Sequence, residues 1–294
     1  MSSVVDTLAA HGPRRRSAWR ALRRDPMGLF GAVLVGSFVL MALFAPWIAP
    51  YDPIKLDVAN KFSDPSLSHW AGTDQLGRDT LSRIIWGART ALGIALSATG
   101  VAGVIGLILG LIAGYGPRWL DAIFVLIFDS LSSLPMVMFA LAVITVLGPG
   151  TATLILVIVL VSIPGYARLI RAQTLTLQSA DFIQAERAMG ASSARIILRH
   201  LLPNVVGPLV IILSMDVPVV IMLEAGLSYL NLGVRPPTPS WGNILYDGYT
   251  SLRQAPSMVI AAGIPLVLAT LGFTFFGEGL RDALDPKLQL RVPK

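Results

Sequence analysis

The chain has 294 residues, of which 54% are hydrophobic and 14% charged, with a formal net charge of +6 and no cysteine. That balance excludes a soluble domain of this length, because the apolar residues run in long blocks instead of forming one face of amphipathic elements. The missing cysteines exclude disulfides, zinc–thiolate sites and cysteine nucleophiles.

In chain order, the first feature is a basic cluster: Arg14, Arg15, Arg16, Arg20, Arg23 and Arg24. Such a cluster suits nucleic acid, but directly before an apolar block it serves as a topology signal, and no nucleic-acid partner is expected. The block that follows, 29–49, exceeds the ~7–15 residues of a signal-peptide core and reaches the ~20 needed to span a bilayer. It is read as a retained anchor helix.

Five more apolar blocks follow, at 91–114, 120–147, 152–167, 205–223 and 258–277. Lipid offers the backbone no hydrogen bonds, so segments of this kind must be helical, and they lack the alternation of barrel strands. The expected fold is an all-α integral membrane protein with six transmembrane helices. Pro164 lies near the end of the fourth block, and the third carries Asp121 and Asp129.

Orientation follows from the basic residues. With the N-terminus in the cytoplasm, the inner segments hold the Arg leader, Arg118, a loop with Arg168, Arg171, Arg187, Arg195 and Arg199, and a tail with Arg281, Lys287, Arg291 and Lys294. In the first outer segment Lys55, Lys61, Arg78, Arg83 and Arg89 are matched by Asp52, Asp57, Asp64, Asp74 and Asp79. The basic excess therefore lies inside, with both termini cytoplasmic. The expected organisation is a leader at 1–27, an anchor helix at 28–50, an extracytoplasmic segment at 51–89, a five-helix core at 90–283 containing an inner loop at 168–203, and a tail at 284–294.

The inner loop reads DFIQAERAMGASSARIILRHLLPN. Ser179 is the expected N-cap, with Asp181 in the first turn. Phe182, Ala185, Ala188 and Met189 recur at helical spacing, and Gly190 suits the left-handed position past a helix end. Ser192 or Ser193 caps a second helix running through Ile196, Ile197 and Arg199 until Pro203 stops it. On pattern alone this helix–turn–helix fits an amphipathic element resting on lipid as well as one that docks on a protein. A DNA-binding role is disfavoured by its tether between two spans.

At this point the sequence resembles a known family. Permease subunits of bacterial ABC importers carry an inner loop of the form E-A-A, three residues, Gly, nine residues, then Ile-x-Leu-Pro. Here Ala185, Gly190, Leu202 and Pro203 fit, whereas Gln184 replaces the usual Glu, Glu186 the usual Ala, and His200 a common Ile. The outer stretch HWAGTDQLGRDTLSRIIWGAR resembles a signature of peptide-importer permeases, and LSYLNLGVRPPTPSWGNILYDG with GEGLRDALDPKL is similar to the C-type partner of the oligopeptide, dipeptide and nickel importer group. The resemblance implies a type I ABC importer permease fold. It also implies as partners a second permease, two ABC ATPase subunits or domains, and an extracytoplasmic peptide-binding protein. It further implies that Asp181, Phe182, Gln184, Ala185, Glu186, Arg187, Met189, Gly190 and Pro203 form the ATPase-coupling element. No Walker A loop occurs in the chain, so ATP and Mg are expected on the partner ATPase subunits.

Intramembrane carboxylates usually mark function. Asp129 and Asp216 are candidates for the translocation path; the other reading has them bonded to neighbouring Ser or backbone groups, or to the partner permease. Gly103, Gly106 and Gly110 lie close to one helix face and favour tight helix packing over a gating hinge. The stiff 236–241 run, with Pro237 and Trp241, reads either as a docking surface for the binding protein or as a rigid loop with an interfacial Trp. His11, His69 and His200 fall on both sides of the membrane, so no metal, cofactor or catalytic residues are assigned. An ion-coupled transporter would need inverted repeats with paired broken helices, and a membrane enzyme a catalytic constellation; neither pattern is visible. Oligopeptides or dipeptides are the expected cargo, with nickel, glutathione or another small solute as the alternative.

Overall fold

The computed structural model describes residues 25–284. Arg14, Arg15, Arg16, Arg20, Arg23, Arg24, Lys287, Arg291 and Lys294, which carry much of the topology argument, lie outside that range. Among the described residues there is no β-strand, only an isolated bridge between Thr73 and Asp79. Five helices are long and apolar enough to cross a membrane, and a sixth span is made if one bent pair is counted together.

Helix α1, Pro26–Ile48, opens with Pro26 in its first turn and with Asp25 capping Met27 and Gly28 N–H groups. It has no polar face. Phe38, Ala42 and Ala45 face the bundle, and the opposite side, with Leu40, Leu43 and Phe44, is bare. An extended outer segment with one short 3₁₀ turn, Val58–Asn60, leads to α2, Thr80–Tyr115. α2 begins well before the apolar block, so Arg83 and Arg89 lie on a helix and not in a loop.

The third apolar block is two helices, α3 (Arg118–Ser132) and α4 (Met136–Leu147), bent by 88°. The bend falls just before Pro135, whose ring disfavours helical backbone in the residue ahead of it. α5, Thr151–Gln178, runs well beyond the expected end of the fourth block and holds Pro164 in its interior. The short helix α6, Asp181–Ala188, and α7, Ser193–Ile196, form the inner helix–turn–helix. A π turn, Ile197–Leu201, joins α7 to α8, Leu202–Tyr229, without a break. Pro203 therefore does not stop the helix as expected: the wider turn ahead of it bonds Leu202 N–H to Ile197 O and absorbs the proline at the second position of α8. The short outer helix α9, Trp241–Thr250, and the last span α10, Pro256–Leu284, complete the chain.

α2 and α5 form the centre of the bundle. A Cβ on Gly106 would stand 2.6 Å from Tyr166 Cβ, and one on Gly110 2.6 Å from Ala167 O, so the two backbones approach as only small residues allow. This is the packing reading of the glycine stripe. Gly93 and Gly100, on another side of α2, face open space.

Candidate functional site

On the inner side, α6 is held by one buried side chain. Ile183 is wholly enclosed, while Phe182, Gln184, Ala185, Ala188 and Met189 are exposed. The Phe182, Ala185, Ala188 and Met189 stripe thus points away from the bundle, and the anchor is a residue that the periodicity did not single out. The N-cap is Ala180, not Ser179, whose hydroxyl instead donates to Thr176 O at 2.8 Å. Asp181 sits in the first turn and Arg187 in the last, each matching the helix dipole.

The C-terminus of α6 is a complete Schellman turn. Gly190 N–H donates to Arg187 O and Ala191 N–H to Glu186 O, both at 3.0 Å, with Gly190 at φ +81°. The Ser192 hydroxyl accepts from Arg195 N–H and starts α7. Ile196 and Leu201 then bury themselves, leaving Leu198 exposed. Phe182, Met189 and Leu198 are exposed large apolar side chains on this element, at 46%, 74% and 64%.

Gln178, at the end of α5, ties this element to the bundle. It donates to Gly114 O, its carbonyl side-chain oxygen accepts from Arg187 at 3.1 Å, and its backbone oxygen accepts from Gln184 at 3.2 Å. Arg187 also lies over the Tyr115 ring, 5.3 Å from its centre. The two departures from the family loop meet one another: Glu186 Oε1 is 3.3 Å from His200 Nε2, and the His200 ring borders Phe182. Gln184 and Pro203 lie on the two arms of the element, one on α6 and one at the start of α8.

Asp129 is exposed and pairs with Arg168 at 3.1 Å, whose other nitrogen donates to Ser132 at 2.5 Å. One helical turn or two away, Arg171 grips Asp121 with two hydrogen bonds. These pairs explain why α5 outlasts its apolar block: α3 supplies carboxylates to its polar continuation. Asp216 neighbours the Tyr166 hydroxyl, without hydrogen-bond geometry between them. Asp129 and Asp216 are not brought into one cluster with each other by any contact.

The outer side is built differently. Asp74 is fully buried and accepts from Arg78 Nε at 2.6 Å, from Arg83, and from the Leu76 and Arg78 backbone N–H groups. Both arginines also reach Asp247 on α9, at 3.4 and 3.1 Å. Asp79 caps α2 through Ser82 and holds His69 at 2.9 Å. The GTDQLGRD stretch is therefore a buried clamp between the outer segment and α9.

Trp241 corrects an expectation. It is completely buried, donates its indole N–H to Ile84 O at 3.0 Å, and stands edge-on to Phe38. Gly87 leaves it room, since a Cβ there would stand 2.7 Å from its ring. It is neither interfacial nor presented to a partner, whereas Pro237 is exposed and lines an outer cavity of about 660 Å³ with Pro239, Tyr51 and Trp86.

Against known structures, the chain matches a subunit of the MetNI methionine ABC transporter in inward-facing conformations, with a TM-score of 0.54 and 19% identity, over 69% of this chain and 96% of that one. The fold is that of an ABC-importer permease. Residues 106–290 match the family described as binding-protein-dependent transport system inner membrane component, and residues 14–65 the N-terminal transmembrane domain of oligopeptide transport permease C. The chain belongs to this family, as a multi-pass inner-membrane permease subunit. Among curated relatives, it is 36% identical to the dipeptide transport system permease protein DppC of Alkalihalophilus pseudofirmus, over 93% of this chain and 90% of that protein. It is 41% identical to the glutathione transport system permease protein GsiD of Escherichia coli O157:H7, over 92% of this chain and 90% of that protein.

Proposed function

We propose that this chain pairs with a second permease to form a translocation path for short peptides, and that separate ATPase subunits, which bind ATP and Mg, drive it through the α6–α7 element. The observation that carries the coupling reading is the bare apolar stripe of Phe182, Met189 and Leu198 on an element otherwise fixed by Ile183, Gln178 and the Gly190 turn. An element that were merely resting on lipid would not need its far end clamped to two spans through Arg187 and Gln178. A helix transmits displacement because its own hydrogen bonds hold its shape; when the ATPase subunits close, α6 moves as a body and α5 and α8 move with it. Inward- and outward-facing states then alternate with the nucleotide state.

The peptide cargo rests on the two relatives above, whose named substrates, a dipeptide and glutathione, are both short peptides. An extracytoplasmic binding protein would deliver the cargo to the outer face, where Pro237 is exposed. Asp129 and Asp216 are kept as path candidates; Asp129, exposed beside Arg168, has the better access to a solute.

Copurification from detergent with co-expressed ATPase and permease subunits tests the coupling reading. Gly190→Pro removes the N–H that closes the turn and forbids a φ of +81°. Wild type is expected to retain the ATPase and the variant to lose it while still inserting. Retention of the ATPase by the variant, or cargo movement by the chain alone in ATP-free liposomes, would sink the assignment.

A further inference from the structure

We infer that the outer end of the α1–α2 seam is a binding site for an anionic phospholipid, with the lipid phosphate on Arg89 and an acyl chain in the groove below it. The groove measures about 230 Å³ and is walled by Val39, Ala42 and Leu43 of α1 and by Leu92, Gly93 and Leu96 of α2, with Arg89 at its head. All six walls are apolar or glycine, and Gly93 keeps the floor open, since a Cβ there would meet nothing within 4 Å.

Arg89 is the reason the groove calls for an anion. It lies in a helix that crosses the membrane, and no carboxylate pairs with it among the described residues. Its guanidinium rests only on the Trp86 ring, 5.5 Å from the centre, an arrangement that leaves its N–H donors free. Asp52, in the neighbouring outer cavity, is occupied with the Ile54 N–H and does not reach it. An unpaired cation is costly at membrane depth and is found facing an anion, water or the headgroup layer. Its long side chain can reach that layer while its stem lines the groove.

The level fits a headgroup. Leu43, beside Arg89 in the groove, is one helical turn, about 6 Å, below Trp47. Trp47 is 76% exposed, packs against Phe44, and marks the interfacial layer where tryptophan is favoured. The open flank of α1 is apolar at the level of the groove, with Leu40, Leu43 and Phe44 bare, so the groove gives sideways onto hydrocarbon and upward onto phosphate. A single diacyl lipid satisfies both halves at once; a soluble phosphate would leave the apolar half empty.

The test is native mass spectrometry of the importer, purified with its co-expressed partner subunits and titrated with phosphatidylglycerol. Arg89→Gln is expected to lower phosphatidylglycerol occupancy about fivefold, the ~1 kcal/mol a basic residue contributes beside anionic lipid. Gly93→Leu, which fills the groove into open space, should lower it as much, and Arg89→Lys should retain most of it. Unchanged binding in either Arg89→Gln or Gly93→Leu overturns the site. Loss of the second permease from the Arg89→Gln complex also overturns it, because Arg89 would then be answering a carboxylate of that subunit.

Discussion

The outer clamp and the inner coupling element are both short stretches wedged between spans, yet they dispose of their polar and apolar groups in opposite ways. Around Asp74 the charges are buried and answer one another inside the chain: two arginines, two carboxylates and two backbone N–H groups. Around α6 the charges are at the surface, and what stays unsatisfied is apolar area on Phe182, Met189 and Leu198. The first region pairs its charges within the chain, although Arg83 Nε is left without a hydrogen-bond partner; the second is complete only against something else. A region that moves with a partner must keep its internal geometry while leaving its contact face bare, and α6 does this with one buried isoleucine and one glycine turn.

The contrast can be broken from either end. The largest effect is expected at Asp74→Ala, which leaves Arg78 and Arg83 sharing Asp247 alone in a buried site; removing one partner of such a group costs about 3–5 kcal/mol. Heating the detergent-solubilised variant and following monodisperse protein by size exclusion would show it, and wild-type thermal stability would mean that the clamp is not a structural unit. Next comes Gly110→Leu, which forces α2 away from Ala167 and Ile170 of α5 and should cost about 1–3 kcal/mol by overpacking. If that variant keeps wild-type stability in the same assay, the close α2–α5 approach does not hold the bundle. The smallest effect on stability is expected at the double variant Phe182→Ala with Met189→Ala, within ~0.5 kcal/mol of wild type, since neither side chain is buried. The same variant should lose most of its ATPase copurification, and equal losses of stability and of ATPase binding would erase the distinction drawn between the two regions.

Much of the fold is legible in the sequence because hydrocarbon imposes one rule on every span. Blocks of apolar residues locate the helices, and the inner helix–turn–helix follows from Gly190, Ser192 and the apolar spacing. What is not legible is where helices end once they leave the bilayer. α5 continues from Ala167 to Gln178 because Arg168 and Arg171 find Asp129 and Asp121 on α3, and no hydropathy window can see a partner thirty-nine to fifty residues away. The sequence places Trp241 correctly beside a rigid proline run but not inside the protein, since its burial depends on the gap left by Gly87 and on the edge of Phe38. Ile183 escaped notice for a related reason: a helix with two candidate faces does not declare which of them its own chain will cover. The pairing of Glu186 with His200 likewise becomes visible only when the two arms of the turn are brought together.

The outer clamp has a consequence for how the protein is made. Arg78 and Arg83 share Asp247, which follows them by 169 and 164 residues. Until α9 has emerged, the two guanidiniums have only Asp74 between them, so the half-synthesised chain carries an excess of positive charge at a site that the finished chain seals. A chain that stops short of α9 therefore lacks one of the two negative charges that balance Arg78 and Arg83 at this site.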